Sequence, residues 1–259
     1  MMEDFIKWIF TTSHDPCEKQ VHKAMELATK YNGIYYERKN LKNYLKNIDS
    51  YFVVNKNLTV DCKWKDGRLF FHPSVSKIRL NNYLKNGNDY SIESVKPDVN
   101  DVVLDLTLGL GSDALLLGHF CKEIIGIEAS IPIYLVVKES INAYQFDELW
   151  LKESSKKIKI YHENYKEFIK KQDDNCYDIV YCDPMFENPQ LKSNSINPLR
   201  KFANYDKIDK IDLENMIRIS KKRVVVKARI YDSIWDEFQF DLKIGSKKSG
   251  VIFGVIEKK

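Results

Sequence analysis

The chain has 259 residues, 44% of them hydrophobic, which is enough apolar material for one large or two modest domains that need no disulfide or metal staple. Lysine plus arginine number 41 against 37 acids, a mild basic excess that would ease approach to a polyanion but does not establish one as partner. No two of the five cysteines are spaced as a zinc knuckle or redox pair, the first twenty residues lack the apolar core of a signal peptide, and no run approaches eighteen apolar residues; a cytoplasmic protein with reduced thiols, no metal and no membrane partner is expected.

In chain order, the first part reads as a strand in "FIKWIF", a helix from about Pro16 to Tyr31, a short strand "IYYE", and two strands, "YFVVN" and "LTVDCKW", joined at "KN". This predicts a small α/β module over residues 1–67. Residues 68–97 read as a connection: a polar helix from about Ser74 to Lys85, the turn "NGND", and the break at Pro97-Asp98. Residues 98–259 form the largest predicted domain, in which β-branched runs alternate with helical patterns: "VVLDL", "IIGIE", "IKIYHE", "YDIVYCD" and "RVVVKA". Such alternation implies a parallel sheet with helices on both faces. The last two runs, "FQFDLKIG" and "VIFGVIE", are separated only by "SKKSG", so they must form an antiparallel hairpin. The expectation is a doubly wound, mostly parallel sheet whose last strand is reversed.

In sheets of this kind ligands sit beyond the carboxyl ends of the strands, and the first strand-to-helix turn lets backbone approach them. Here that turn is "DLTLGLGSDALLL", with Gly109 and Gly111 supplying the bend and Ser112 and Asp113 opening the helix. The spacing Gly109-x-Gly111-x-x-Ala114 also satisfies a dinucleotide fingerprint, with Glu128 placed to take a ribose. Asp105 argues against a pyrophosphate, because a carboxylate beside the turn would repel it at close range. S-adenosylmethionine, which carries an ammonium and a sulfonium and no phosphate, suits an acid there, and Glu128 can accept from both ribose hydroxyls. Thr107 and Ala129 flank these positions. Asn164, after "IKIYHE", either faces the adenine or caps the helix that follows.

The fourth parallel strand ends in Asp183-Pro184-Met185-Phe186. This resembles the Asp/Asn-Pro-Pro-Tyr/Phe signature of class I methyltransferases that act on exocyclic or amide nitrogens. Such a nitrogen is a poor nucleophile while its lone pair is delocalised. The Asp183 carboxylate and the Pro184 carbonyl, held by a rigid turn, can accept both amine hydrogens and direct the lone pair, while Phe186 stacks on the ring.

With both motifs, and with Lys192-Ser193 and "RVVVK" up to Lys227, the chain resembles the RsmJ-type small-subunit ribosomal RNA guanine-N2 methyltransferases over about residues 100–240. The amino-terminal "FTTSHDP" and "FFHPS" resemble a separate bacterial branch of that family. The resemblance implies a Rossmann-like, seven-stranded class I fold, S-adenosylmethionine as cofactor and RNA as substrate. Asp105, Thr107, Gly109, Gly111, Asp113, Glu128, Ala129 and Asn164 would line the cofactor, and Asp183, Pro184 and Phe186 would orient the base. Lys192 would contact substrate, His72 either does so or is a satisfied structural histidine, and Lys227 and Arg229, ending the fifth strand, either contact a phosphate or are solvated strand-end charges. Two departures remove positive charge: Ser112 replaces the family's arginine, and Glu187 and Asn188 stand where basic residues are expected. A protein or small-molecule substrate, and a catalytically silent RNA-binding relative, are the alternatives these departures leave.

Overall fold

The computed structural model describes residues 8–41, 48–187 and 197–258. The chain divides into two units, Met1–Phe71 with Leu135–Gln145, and His72–Tyr134 with Phe146–Lys259.

In the first unit, β1 (Ile9–Thr12) is buried along its whole length and runs parallel to β2 (Ile34–Tyr35) and β3 (Tyr51–Val54). Parallel neighbours need a crossover, and α1 (Glu18–Lys30) provides it between β1 and β2, burying Ala24, Leu27 and Ala28. Antiparallel β4 (Val60–Trp64) and β5 (Gly67–Leu69) complete the order β2-β1-β3-β4-β5. Phe10 stacks on Phe52 with ring centroids 5.0 Å apart, which ties β1 to β3. Residues 135–145 belong to this unit. There Ser140 Oγ accepts from the Val60 N–H at 2.8 Å and donates to the Val60 carbonyl at 3.2 Å, answering backbone polar groups that β4 would otherwise bury unpaired.

The second unit opens with α2 (Ser74–Asn86), stopped by Gly87 in the left-handed region, and α3 (Tyr90–Val95), capped by Asp89. Strands and helices then alternate: β6 (Val102–Asp105), α4 (Ser112–Gly118), β7 (Glu123–Glu128), α5 (Ile131–Ile141, counted with the first unit from Leu135 on), α6 (Leu149–Lys156), β8 (Ile158–His162), α7 (Tyr165–Lys170) and β9 (Tyr177–Cys182). After them come α8 (Asn197–Arg200), α9 (Lys210–Ile219), β10 (Ser220–Arg229), α10 (Ile234–Glu237), β11 (Leu242–Ser246) and β12 (Val251–Glu257). The sheet order is β11-β12-β10-β9-β6-β7-β8. Strands β6 to β10 are parallel, and β12 alone is reversed, inserted between β10 and β11. This is the seven-stranded, mostly parallel α/β sheet expected from the sequence. Among the described residues no helix is long and apolar enough to cross a membrane.

The chain winds outward from β6 in one direction through β7 and β8, then in the other through β9 and β10. The carboxyl ends of β6 and β9 therefore border the crevice where such sheets take ligands. Register fixes the neighbours, with Asp105 opposite Tyr181 of β9 and Gly126 of β7. A Cβ at Gly126 would lie 2.8 Å from Leu108 Cδ1 and 3.1 Å from its Cδ2, so the bare backbone there seats the turn after β6. Gly126→Val is expected to displace Leu108 and cost about 1–3 kcal/mol of stability, seen as a lowered urea midpoint at unchanged slope. An unchanged midpoint would show that Leu108 repacks freely.

Candidate active site

The first motif is held by hydrogen bonds that cross from strand to strand. Asp105, 2% exposed, closes β6, and its Oδ1 accepts the Thr107 N–H at 3.1 Å. Gly109 and Gly111 both take positive φ, +54° and +73°, and turn the chain into α4. Glu128, at the end of β7, accepts the Gly109 N–H at 3.0 Å with one oxygen and the Ser130 N–H at 2.8 Å with the other. The carboxylate is thus a brace for the glycine turn. Burial lifts its pKa to about 7, opposed by those backbone donors. Asp105 stands well above the carboxylate range, because burial and the neighbouring acids Asp113, Asp183 and Glu128 outweigh the Thr107 N–H.

The second motif joins the first through Thr107, whose Oγ1 accepts the Asp183 N–H at 2.6 Å. A cavity of about 500 Å³ is lined by Asp105, Thr107, Gly109, Glu128 and Ala129. Asp183, Pro184, Phe186, Lys227 and Arg229 line it as well. Ten of the residues singled out from the sequence therefore share one cavity. Asp113 also borders it, but its carboxylate is engaged by Arg79, by Lys227 at 3.3 Å and by the Tyr181 hydroxyl at 3.0 Å. Against the cost of burial, Lys227 and Arg79 hold Asp113 below the usual carboxylate range.

Other expected residues lie elsewhere. Gly111 shapes the turn and is not among the lining residues. Asn164 caps α7, with Oδ1 accepting the Lys166 N–H at 2.9 Å and Nδ2 donating to Asp206 at 2.9 Å, so of its two readings the cap is the one the geometry displays. His72 is exposed, its Nδ1 accepts the Ser74 N–H at 3.2 Å, and it is not among the lining residues. Lys192 and Asn188 fall outside the described residues. Glu187 pairs with Lys207 at 2.7 Å and accepts from Ser233, so the charge there is neutralised locally. Sequence reasoning missed Arg79, which comes from α2 to bring a guanidinium onto Asp113, the residue after Ser112. No local pattern could reveal it, because its carboxylate partners Asp89 and Asp113 are brought to it by the fold.

The donor set around the first motif decides what can be held there. It offers carboxylate acceptors and backbone around Gly109, where an added Cβ would meet nothing nearer than 3.8 Å. A ligand with a cationic group and hydroxyl donors fits that set, and a pyrophosphate does not. Among the described residues no cluster of acids, histidines and cysteines could hold a metal ion.

A family model described as "Putative SAM-dependent methyltransferase" matches residues 71–250. The protein YpiP of Bacillus subtilis strain 168 is 27% identical over 256 residues, covering 96% of this chain and 99% of its own. Ribosomal RNA small subunit methyltransferase J of Coxiella burnetii is 29% identical over 136 residues, 51% of this chain, and the match spans 52% of that relative's length. A crystal structure of a SAM-dependent methyltransferase from Neisseria gonorrhoeae superposes with a TM-score of 0.66 at 17% identity, over 96% of this chain and 95% of that one, and so shares the fold.

Proposed function

The chain belongs to the SAM_MT family of S-adenosylmethionine-dependent methyltransferases, and from that premise we propose that it methylates an exocyclic amine in RNA, with guanine N2 of small-subunit ribosomal RNA as the target. The observation that carries this reading is the Asp183-Pro184-Met185-Phe186 turn, lining the same cavity as Asp105 and Glu128. When bound, S-adenosylmethionine supplies a methyl group on a positively charged sulfur, activated toward a nitrogen lone pair.

The protein's share of the work is binding and alignment. Asp105 faces the ammonium end of the cofactor, Glu128 accepts from ribose hydroxyls, and Thr107, Gly109 and Ala129 form the wall between them. Asp183 Oδ1 and the Pro184 carbonyl accept the two hydrogens of the target amine, which pulls its lone pair out of conjugation and aims it at the methyl group. Phe186 supports the ring that bears the amine. A base in a duplex or hairpin must leave its stack to enter such a cavity.

RNA is favoured over other amine carriers by two features. Arg200 and Arg229 line the cavity, and Lys247 and Lys248 precede the lining residue Ser249 in the β11–β12 turn, a cationic set suited to phosphates. The named relative that matches half of this chain acts, by its name, on ribosomal RNA.

The test uses methyl-tritiated S-adenosylmethionine, the purified protein and extract from cells lacking the gene, followed by nuclease or protease digestion. Nuclease-sensitive label is expected, and nucleoside analysis should return N2-methylguanosine. Protease-sensitive or small-molecule label moves the substrate out of RNA while keeping the enzyme class. No label despite cofactor binding would point to the silent RNA-binding relative.

A further inference from the structure

The ammonium of Lys227 ends between two carboxylates, 2.6 Å from Asp183 Oδ2 and 3.3 Å from Asp113 Oδ2, with its side chain 19% exposed. Asp113 is gripped from its other oxygen by Arg79, which is itself bidentate on Asp89 at 2.9 Å for each bond. Asp89, Arg79, Asp113, Lys227 and Asp183 thus alternate in sign from the cap of α3 to the cavity lining. Among the described residues Asp183 Oδ1 accepts no hydrogen bond.

We propose that Lys227 is a positioning residue for methyl transfer: it clamps Asp183 Oδ2 and leaves Oδ1 as the acceptor for the target N–H. This rests on the reading of Asp183 as the amine-orienting group. The groups facing Asp183 explain why a clamp is needed. Asp105 comes from β6, Asp113 from α4 and Tyr181 and Cys182 from β9, and of these none is a cation; Arg79, from α2, holds Asp113 and adds a weaker pull on Asp183 than Lys227 does. Burial pushes the Asp183 carboxyl up, Lys227 opposes it, and Asp113 adds to the push. Without the ammonium the carboxyl would be pushed further up, toward the protonated form that presents a donor to a donor. Lys227 was expected from the sequence to meet substrate, but both its carboxylate contacts are internal, so it acts through Asp183.

The clamp also accounts for aspartate where the signature admits asparagine. In Asp183→Asn the amide oxygen must turn to Lys227, which puts the NH₂ where Oδ1 stood. The single variant should then lose nearly all transfer, whereas D183N combined with K227M frees the amide to turn back. The double variant should exceed D183N by about tenfold or more. A lysine that only supports the fold would make the double variant worse than either single one.

The deciding measurement needs no substrate. In protein carrying ¹³C-carboxyl aspartate, the Asp183 resonance is identified by its loss in D183N and titrated in wild type, K227M and K227R, each with S-adenosylhomocysteine binding checked for integrity. The midpoint should rise in K227M and stay near wild type in K227R. With RNA substrate, the acid limb of the rate profile should move the same way, and transfer at neutral pH should fall about 100-fold in K227M with partial rescue in K227R. An unshifted midpoint in K227M overturns the clamp. A shifted midpoint in a protein whose wild type transfers no methyl group overturns instead the reading of Asp183 on which the clamp's purpose rests.

Discussion

Asp183→Ala is expected to lower single-turnover methyl transfer by about 100- to 1,000-fold while leaving S-adenosylhomocysteine affinity nearly unchanged. Two acceptors must hold the amine for its lone pair to point along the line of transfer, and alanine removes one of them. The loss should fall on chemistry because the fold around position 183 does not depend on the side chain. The bond to Thr107 Oγ1 comes from the Asp183 backbone N–H, which alanine keeps. Lys227 would retain Asp113 at 3.3 Å, so the substitution leaves no unpaired buried cation. Calorimetry with S-adenosylhomocysteine and rapid-quench transfer to RNA separate the two effects. Transfer within about threefold of wild type would show that the Pro184 carbonyl and shape suffice, and would end the proposed role of Asp183.

The second large effect concerns Glu128 and pH. Burial places its pKa near 7 in the free protein, so at neutral pH about half the molecules carry it protonated. Ribose hydroxyls donate to the ionised form, so cofactor binding pulls the proton off, and affinity must rise as pH rises through 7. Between pH 6 and pH 8 the ionised fraction grows about tenfold, and S-adenosylhomocysteine affinity should grow with it. Isothermal titration in buffers of different ionisation enthalpy should detect net proton release near pH 6.5. Glu128→Gln should reduce the dependence to the part contributed by Asp105, which burial also raises, and Glu128→Ala should weaken binding by about 100-fold at pH 8, since two acceptor atoms and the brace on Gly109 go together. Affinity that is flat with pH in the wild type would mean that Glu128 meets no ribose.

How much of this was readable in the chain follows from how local each signal is. The strands from "VVLDL" to "VIFGVIE" and the reversal at "SKKSG" are written in short-range pattern, and the sheet follows them. Residues Gly67–Leu69 make a three-residue strand too short for any alternation to show, and Asp89 begins α3 inside what reads as the turn "NGND". That residues 135–145 belong to the first unit is a fact of tertiary packing, carried by contacts such as Ser140 on Val60 across 80 positions. In the site, acids and glycines at strand ends announce themselves because few structural duties call for them. Lys227 does not, because a lysine closing a strand reads equally as solvated charge or phosphate contact; only the nearby Asp113 and Asp183 turn it inward.

The insertion of β12 between β10 and β11 also bears on how the chain is made. Strand β10 pairs with β9 on one side, and its other edge, the run Val224-Val225-Val226, stays open until Gly254–Ile256 of β12 dock on it. During that interval the strand bearing Lys227 is a central strand with an exposed apolar edge, the kind that recruits foreign strands. A chain truncated before Val251 would therefore be a substrate for holding chaperones or for aggregation, whereas one that carries Val251–Glu257 closes this edge itself.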